Sequence, residues 1–300
     1  MNASIVVIGS SNTDMVIHTD HIPKPGETIL GGKFFMNPGG KGANQAVAAA
    51  RLGGDVIFIA KTGNDVFGEQ AKHGFQKEGI DTRFIGVDPI NPSGVALIIV
   101  DKKGENSIVV APGANGMLTV DDLKKSFSEI SRPGFLLMQL EIPLETVQFA
   151  ADYASRNNIK VILNPAPAST LPDSLFPFID YITPNEIEAE MLTGVVVNDG
   201  ASAELAAKVL ATKGAKTVII TRGEEGALLL RENKFYHIPV VKVNPVDTTA
   251  AGDVFNGAIA VSLCEGDDIQ AAVAFACRAA AISVTRLGAQ SSAPYRNELS

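Results

Sequence analysis

Val246-Asp247-Thr248-Thr249-Ala250-Ala251-Gly252-Asp253-Val254-Phe255-Asn256-Gly257-Ala258 lies between two periodic segments. Before it, the apolar run at 235–243 reads as a strand; after it, Phe255, Ala258, Ile259 and Ser262-Leu263 recur at helical spacing. A strand, a tight turn and a helix make one βα unit, so the stretch sets the expectation of an α/β chain. Ala250, Ala251 and Gly252 are too small to cover their own N–H groups at the start of the helix. Bare donors and the helix macrodipole together bind anions. Asp253 then places a carboxylate beside a phosphate-sized site. Two like charges belong together when one helps a nucleophile attack the other. The competing reading is that Asp253 only caps the helix.

Working outward, the same alternation continues. Strands are expected at 5–9, 56–60, 135–140, 160–163, 179–182 and 217–220, with helices at 43–52, 67–77, 148–156 and 203–211. This pattern implies a doubly wound, mostly parallel α/β sheet with helices on both faces, in one domain spanning 1–300. A dinucleotide fold is excluded at the first strand. Ile5-Val6-Val7-Ile8-Gly9 runs into Ser10-Ser11-Asn12-Thr13-Asp14 rather than a second and third glycine. Gly39-Gly40-Lys41-Gly42 is not a P-loop either. Phe35 stands where its first glycine belongs, and Gly42 replaces the magnesium-binding hydroxyl.

Two strand pairs interrupt the alternation. One spans 15–36, broken at Pro23, Pro25 and Gly26 and resuming at 28–35; the other is 93–100 and 105–110, joined by Asp101-Lys102-Lys103-Gly104. They are expected to form a small projecting β-sheet, from about 13–37 and 91–113, that covers a site or pairs with a second subunit.

Of the 300 residues, 46% are hydrophobic and 19% charged, an ordinary globular balance. A net charge of −8 argues against a nucleic-acid or anionic-membrane surface. The chain opens directly into a strand, and no apolar run reaches the roughly 18 residues of a membrane span. Cys264 and Cys277, both in apolar helical stretches, read as buried thiols of a cytoplasmic protein. His18, His21, His73 and His237 are scattered without metal-ligand spacing.

In such sheets ligands bind beyond the carboxyl ends of the strands. Asn12, Asp14, Glu141, Asn164, Asn185 with Glu188, the run from Thr221 to Gly226, and Asp253 all fall after expected strands, Asp253 after the last of them. Lys41 and Asn44 open the first helix together. Asn12, Asp14, Lys41 and Asn44 suit vicinal hydroxyls, because a carboxylate accepts two O–H bonds and an amide both donates and accepts. The Gly223 loop and the amides at 250–252 suit phosphates.

Gly39-Gly40-Lys41-Gly42-Ala43-Asn44 and Asp247-Thr248-Thr249-Ala250-Ala251-Gly252-Asp253 resemble the two signatures of the PfkB-type carbohydrate kinases. The Asn12-x-Asp14 pair and Asn185-x-x-Glu188 are similar to the ribokinase branch, and the resemblance runs from Val6 to Pro294. It implies ATP-dependent phosphorylation of D-ribose at its 5-hydroxyl, with Asp253 as general base and the amides of Ala250, Ala251 and Gly252 as anion hole. The sugar would be held by Asn12, Asp14, Gly39, Gly40, Lys41, Asn44 and Glu141. ATP would lie along Asn185, Thr221, Arg222, Gly223, Glu224, Glu225 and Gly226, with Gly252 and Cys277, while Glu188 helps organise Mg²⁺. A monovalent cation, K⁺, would sit near Asp247 and Thr249, with Ser283, Arg286, Gly288 and Ser292 around it. The strand pairs would form a lid that also joins a homodimer. A sibling kinase acting on deoxyribose, fructose, a nucleoside or another sugar is the alternative, and a sugar-sensing protein that keeps the fold is the non-enzymatic one. The sequence departs from the family pattern at Ala250, where many members have Gly, and at Cys277, where relatives often present a polar residue.

Overall fold

The computed structural model describes residues 4–299; the expected domain of 1–300 reaches at both ends outside the described residues. The chain runs β1 (Ser4–Ile8), β2 (Asn12–His18), β3 (Lys33–Gly39), α1 (Lys41–Arg51), β4 (Val56–Gly63), α2 (Val66–Lys77), β5 (Ile85–Asp88), β6 (Gly94–Val100) and β7 (Asn106–Ala111). It continues through α3 (Val120–Glu129), β8 (Pro133–Met138), α4 (Leu144–Arg156), β9 (Lys160–Leu163), β10 (Tyr181–Ile182), α5 (Glu186–Thr193), α6 (Gly200–Lys213) and β11 (Thr217–Thr221). β12 (Ala227–Arg231), β13 (Lys234–Ile238), α7 (Ala251–Glu265) and α8 (Ile269–Ser283) complete it.

The main sheet has the order β13-β12-β11-β10-β9-β8-β1-β4-β5. From β11 to β5 every pairing is parallel, while β12 and β13 form an antiparallel hairpin at one edge. Parallel strands need both faces covered, which explains the unbroken apolar run of β1. Side-chain alternation splits that run between two cores. Ile5 and Val7 pack into the core shared with α1, α2, α7 and α8, whereas Val6 and Ile8 pack into the core shared with α3, α4, α5 and α6. Full burial of each such aliphatic side chain is worth about 1.5–3 kcal/mol.

From β1 the chain builds outward to β4 and β5 on one side, then returns to build β8 through β11 on the other. The order therefore reverses between β1 and β8, which is where sheets of this kind place a ligand crevice, beyond the carboxyl ends of the strands. The two strand pairs form one separate sheet over this region, in the order β3-β2-β6-β7.

Two sequence expectations are corrected. The run at 28–35 is not the returning strand: Gly31 and Gly32 take φ of 105° and 108°, outside extended geometry, and pairing with β2 begins only at Lys33. The strand at 235–243 stops at Ile238, where Pro239 has no N–H to give a ladder. Residues 239–250 are irregular, so Asp253 is not delivered by a strand. It arrives on α7, which packs against α1 at Gly257; a Cβ there would lie 2.8 Å from both the Ala48 Cβ and the Gln45 carbonyl.

Candidate active site

The crevice is closed at its base by Ser10, after β1, and Glu141, after β8. The Ser10 hydroxyl donates to Glu141 Oε2, which also accepts the Lys41 amide at 3.0 Å. Ser10 Oγ accepts the Gly42 N–H at 3.3 Å and its carbonyl accepts the Ala43 N–H at 2.8 Å. The N-terminus of α1, which has no side-chain cap from Gly40, is thus satisfied across the strand-order reversal. Glu141 keeps Oε1 for another donor.

The two glycines before α1 are there for closeness to β2. A Cβ on Gly39 would lie 2.2 Å from both oxygens of Asp14, and one on Gly40, whose φ is 89°, would lie 2.7 Å from the Asn12 amide nitrogen. Asn12 Oδ1 accepts from Asn115 Nδ2 at 2.8 Å, and Asn115 Oδ1 in turn accepts the Ser11 N–H at 2.8 Å. This fixes the Asn12 amide with its own N–H groups turned away from Asn115. Among the described residues none donates a hydrogen bond to the Asp14 carboxylate. Burial, then Glu141 and Asp253, push its pKa up to about 6 against the pull of Lys41.

Asp253 is buried in the first turn of α7, and it is not a cap. Its oxygens turn away from the helix amides: Oδ2 accepts from Asn44 Nδ2 at 2.9 Å and Oδ1 from Gln45 Nε2 at 3.0 Å. Asn44 Oδ1 is buried with no hydrogen-bond partner, an acceptor held ready for a hydroxyl. Burial raises the Asp253 pKa, with Lys41, Asn44 and Gln45 opposing it. Burial also works against charge on Lys41, but Asp253, Glu141, Glu188 and Asp14 together outweigh it and hold the ammonium above its ordinary value.

The start of α7 is unusual. The residue before the helix, Ala250, is left-handed at φ 59°, and no side chain caps the turn. The Ala251 N–H reaches back to the Thr248 carbonyl at 3.3 Å, while the Gly252 N–H has no acceptor among the described residues. A Cβ on Gly252 would meet nothing within 4 Å. Open space over an unpaired amide is what an anion hole requires.

Asn185 and Glu188 form a reciprocal capping box on α5: Asn185 Oδ1 accepts the Glu188 N–H at 2.8 Å and Glu188 Oε2 accepts the Asn185 N–H at 2.9 Å. Burial, with Asp253, raises the Glu188 pKa against Asn185 and Lys41. Asn185 bridges to Thr221, whose N–H reaches the Pro184 carbonyl at 2.9 Å. In the following loop Gly223 faces open space and Glu224 is exposed. The buried Arg222 side chain pairs with Glu225 and lies 3.6 Å from Glu186, bracing the loop from beneath. Gly226 lets the loop pass the β13 end, where a Cβ would lie 2.1 Å from the Ile238 carbonyl. Cys277 is buried in the core on α8, its thiol pushed up to about 11 by burial. It offers an apolar wall rather than a hydrogen bond. Cys264 is only half-buried, and no disulfide joins the two.

Beyond the anion site, Asp247 Oδ2 accepts the Gly288 N–H at 2.8 Å and Oδ1 the Thr249 N–H at 2.9 Å. Burial would raise its pKa, yet these bonds and the Thr249 hydroxyl hold it below the ordinary value. Ser283 and Ser292 are fully buried nearby in sequence, each donating its hydroxyl to a carbonyl of its own turn. The Arg286 side chain is paired with Glu298, so only its carbonyl is available to a cation.

Ser10, Gln45, Asn115, Gln139, Thr183 and Asn256 were not legible as site residues. The signal that could have found Gln45 and Asn256 is an uncharged amide inside a small apolar helical run, Ala43 to Ala50 and Val254 to Ala260.

The model of the pfkB family carbohydrate kinases matches residues 2–296. The chain is 49% identical over 298 residues to the ribokinase of Haemophilus influenzae, covering 99% of this chain and 97% of that protein. It is 40% identical to the deoxyribokinase of Salmonella typhi, covering 97% and 95%. Among solved structures it is similar to Arabidopsis thaliana ribokinase complexed with ribose and ATP, with a TM-score of 0.91, 30% identity, and coverage of 100% of this chain and 98% of that one.

Proposed function

The chain belongs to the pfkB carbohydrate kinase family, and on that premise we propose that it transfers the γ-phosphoryl group of ATP to the 5-hydroxyl of D-ribose. The observation that carries this reading is the placement of Asp253. Its buried carboxylate, held by Asn44 and Gln45, stands one residue from the open amide of Gly252 and in the field of Lys41 and Glu141. A sugar hydroxyl and a phosphoryl group can meet there with a base beside them.

Asp14 and the open Asn44 oxygen accept from vicinal sugar hydroxyls, and the fixed Asn12 amide donates. As the 5-oxygen attacks the γ-phosphorus, Asp253 takes its proton, the bond to the β-phosphate oxygen breaks, and ADP leaves. Burial makes Asp253 a stronger base than an exposed carboxylate, and positioned proton transfer of this kind contributes typically about 10²–10⁴-fold. The amides at 250–252 stabilise the charge gathering on the phosphoryl oxygens. ATP and Mg²⁺ are the cofactors the family implies. Among the described residues no cluster of metal-ligating side chains forms a cage. Glu188, with one carboxylate oxygen outside its capping box, suits an ion held mainly by phosphates and water, whose chemistry is charge neutralisation.

The loops meeting at Asp247 and Gly288 would hold K⁺ through carbonyls and hydroxyls, supporting the anion hole from behind. The four-stranded sheet would act as the lid. On its face opposite Asp14, Phe34, Met36, Leu97 and Val109 are exposed side by side in register. An apolar face of that kind supports a homodimer in which two lids pack together. No helix among the described residues is long and apolar enough to cross a membrane, and two separated thiols suit a reducing cytoplasm.

Coupled-assay turnover of ribose, 2-deoxyribose, fructose and nucleosides tests the substrate; turnover of 2-deoxyribose equal to that of ribose refutes the ribose assignment. Asp253→Asn should bind ribose with near wild-type affinity while losing most turnover, and wild-type turnover would remove Asp253 as base.

A further inference from the structure

Behind the reacting face, Asp253 belongs to a closed hydrogen-bond circuit. Gln45 uses both N–H groups, one on Asp253 Oδ1 at 3.0 Å and one on Asn164 Oδ1 at 3.1 Å, while its Oε1 accepts from Gln139 Nε2 at 2.6 Å. Asn164 Nδ2 donates to the Thr183 carbonyl at 3.1 Å. The Thr183 hydroxyl donates to Asn256 Oδ1 at 2.6 Å, and Asn256 Nδ2 donates to the Gly252 carbonyl at 2.8 Å. That carbonyl belongs to the peptide group that carries the Asp253 N–H. The circuit therefore returns to the residue from which it started.

Each link has one permitted direction. A carboxylate only accepts, so Gln45 must present N–H groups to Asp253; its oxygen must then face Gln139, and Asn164 must offer its oxygen to Gln45. Turning Asn164 or Asn256 over breaks two bonds, and turning Gln45 over breaks three, leaving buried polar atoms unpaired. All of these groups are buried, with Gln45 at 0% and Thr183 and Asn256 at 1% exposure. Apolar side chains of similar size would fill this space without such penalties. What they could not do is tie the carboxylate, through β9, β10 and the body of α7, to the turn that carries the anion-binding amides. The close approach of α1 and α7 at Gly257 brings Gln45 within reach.

We propose that this circuit holds the Asp253 carboxylate and the Ala250-Ala251-Gly252 turn in one relative orientation, making Gln45, Asn164, Thr183 and Asn256 positioning residues for phosphoryl transfer. It rests on the reading of Asp253 as general base. In-line transfer is sensitive to such placement, since a displacement near 1 Å can cost about 100-fold. The sugar is held by Asn12, Asp14, Asn44 and Lys41, on the other side of Asp253, so ribose affinity should be spared.

Thr183→Val removes the hydroxyl link while keeping the shape, and Thr183→Ser keeps the link. Steady-state kinetics with ribose and ATP, with ribose affinity by calorimetry, should give kcat lowered about 10- to 100-fold in the Val variant with ribose Kd within about twofold of wild type. The Ser variant should restore kcat. Should Thr183→Val fail to fold, Asn256→Leu opens the circuit at its last link and carries the same expectation. A lowered melting temperature with unchanged kcat would overturn the proposal, and so would kcat and ribose affinity falling together. If Asp253→Asn is inactive while Thr183→Val is fully active, only the circuit is refuted; if Asp253→Asn is active, the base and the circuit fall together.

Discussion

Asp14→Asn should make the protein more stable while abolishing tight sugar binding. In the absence of sugar the Asp14 carboxylate has no donor among the described residues. It faces Glu141 and Asp253, and its pKa is raised by burial, Glu141 and Asp253 from 3.8 to about 6. Such a displacement corresponds to about 3 kcal/mol between the two protonation states, and partial exposure trims it to about 1–2 kcal/mol. The sign follows from linkage. The folded value lies above the unfolded one, so the folded chain takes up protons more readily between about 4 and 6. Ionised Asp14 therefore costs stability in full above about pH 6, and the cost fades as pH falls toward 4. Asparagine carries no such cost at any pH. In ligand-free urea denaturation at pH 7.5 the variant should be about 1–2 kcal/mol more stable, a gain of roughly 2–3 °C in melting temperature. The gain should shrink as pH is lowered from 6 to 4.5. A variant no more stable than wild type at pH 7.5, or a gain that does not change with pH, refutes the argument. Wild-type ribose affinity should likewise weaken below about pH 6, as the acceptor is protonated.

Gly252→Ala meets no atom within 4 Å and stands in a helical turn, so stability should hold or rise by about 0.5–1 kcal/mol. Its methyl would fill the space over the open amide, and kcat should fall at least tenfold; unchanged kcat would mean the anion sits elsewhere. Ala250→Gly relieves a left-handed residue at φ 59° and should raise the stability of the folded chain by up to about 1 kcal/mol, read by thermal melting, with activity retained. Exchanging K⁺ for Na⁺ should lower turnover and the melting temperature together if, as proposed, a cation between the Asp247 and Gly288 loops braces the anion hole; equal values in both salts would dismiss it.

The parallel sheet and its two layers could be read because buried strands and α-helices leave different periods in the sequence. The polar residues after β1, β8, β9, β10 and β11 could be read because ligand sites follow carboxyl ends. What could not be read was how the last piece arrives. The run at 235–243 has strand composition throughout, but Pro239 ends its ladder and the β12–β13 hairpin turns it into an antiparallel edge. Asp253 reaches the crevice by the packing of α7 on α1, a long-range contact that no local pattern announces. For the same reason Gln45 and Asn256 looked like ordinary helical residues. Their chemistry lies in what faces them, and their partners are 208 residues away in the case of Gln45 and Asp253. The capping alternative for Asp253 fails in the structure, where no side chain caps α7 and the carboxylate oxygens accept from Asn44 and Gln45 instead.

The N-termini of α1 and α7 are treated differently, and on the proposed reading that difference decides where the phosphoryl group goes. The start of α1 is already answered by a carboxylate and a hydroxyl, Glu141 on the Lys41 amide and Ser10 on the Gly42 amide. Its dipole is spent on holding β1, β8 and α1 together, and a second anion placed there would meet Glu141. The start of α7 has no such partner: no side chain caps it, its Gly252 amide is open, and the small residues before it leave room for approach. On the proposed reading an incoming phosphoryl group would be attracted to one helix end and repelled from the other, while neutral sugar hydroxyls would lie across Asn12, Asp14 and Asn44. Asp253 stands at the boundary between those two territories. On that reading this contrast lets the site accept a polyanion, because Glu141 already answers the start of α1 while the Gly252 amide at the start of α7 stays open.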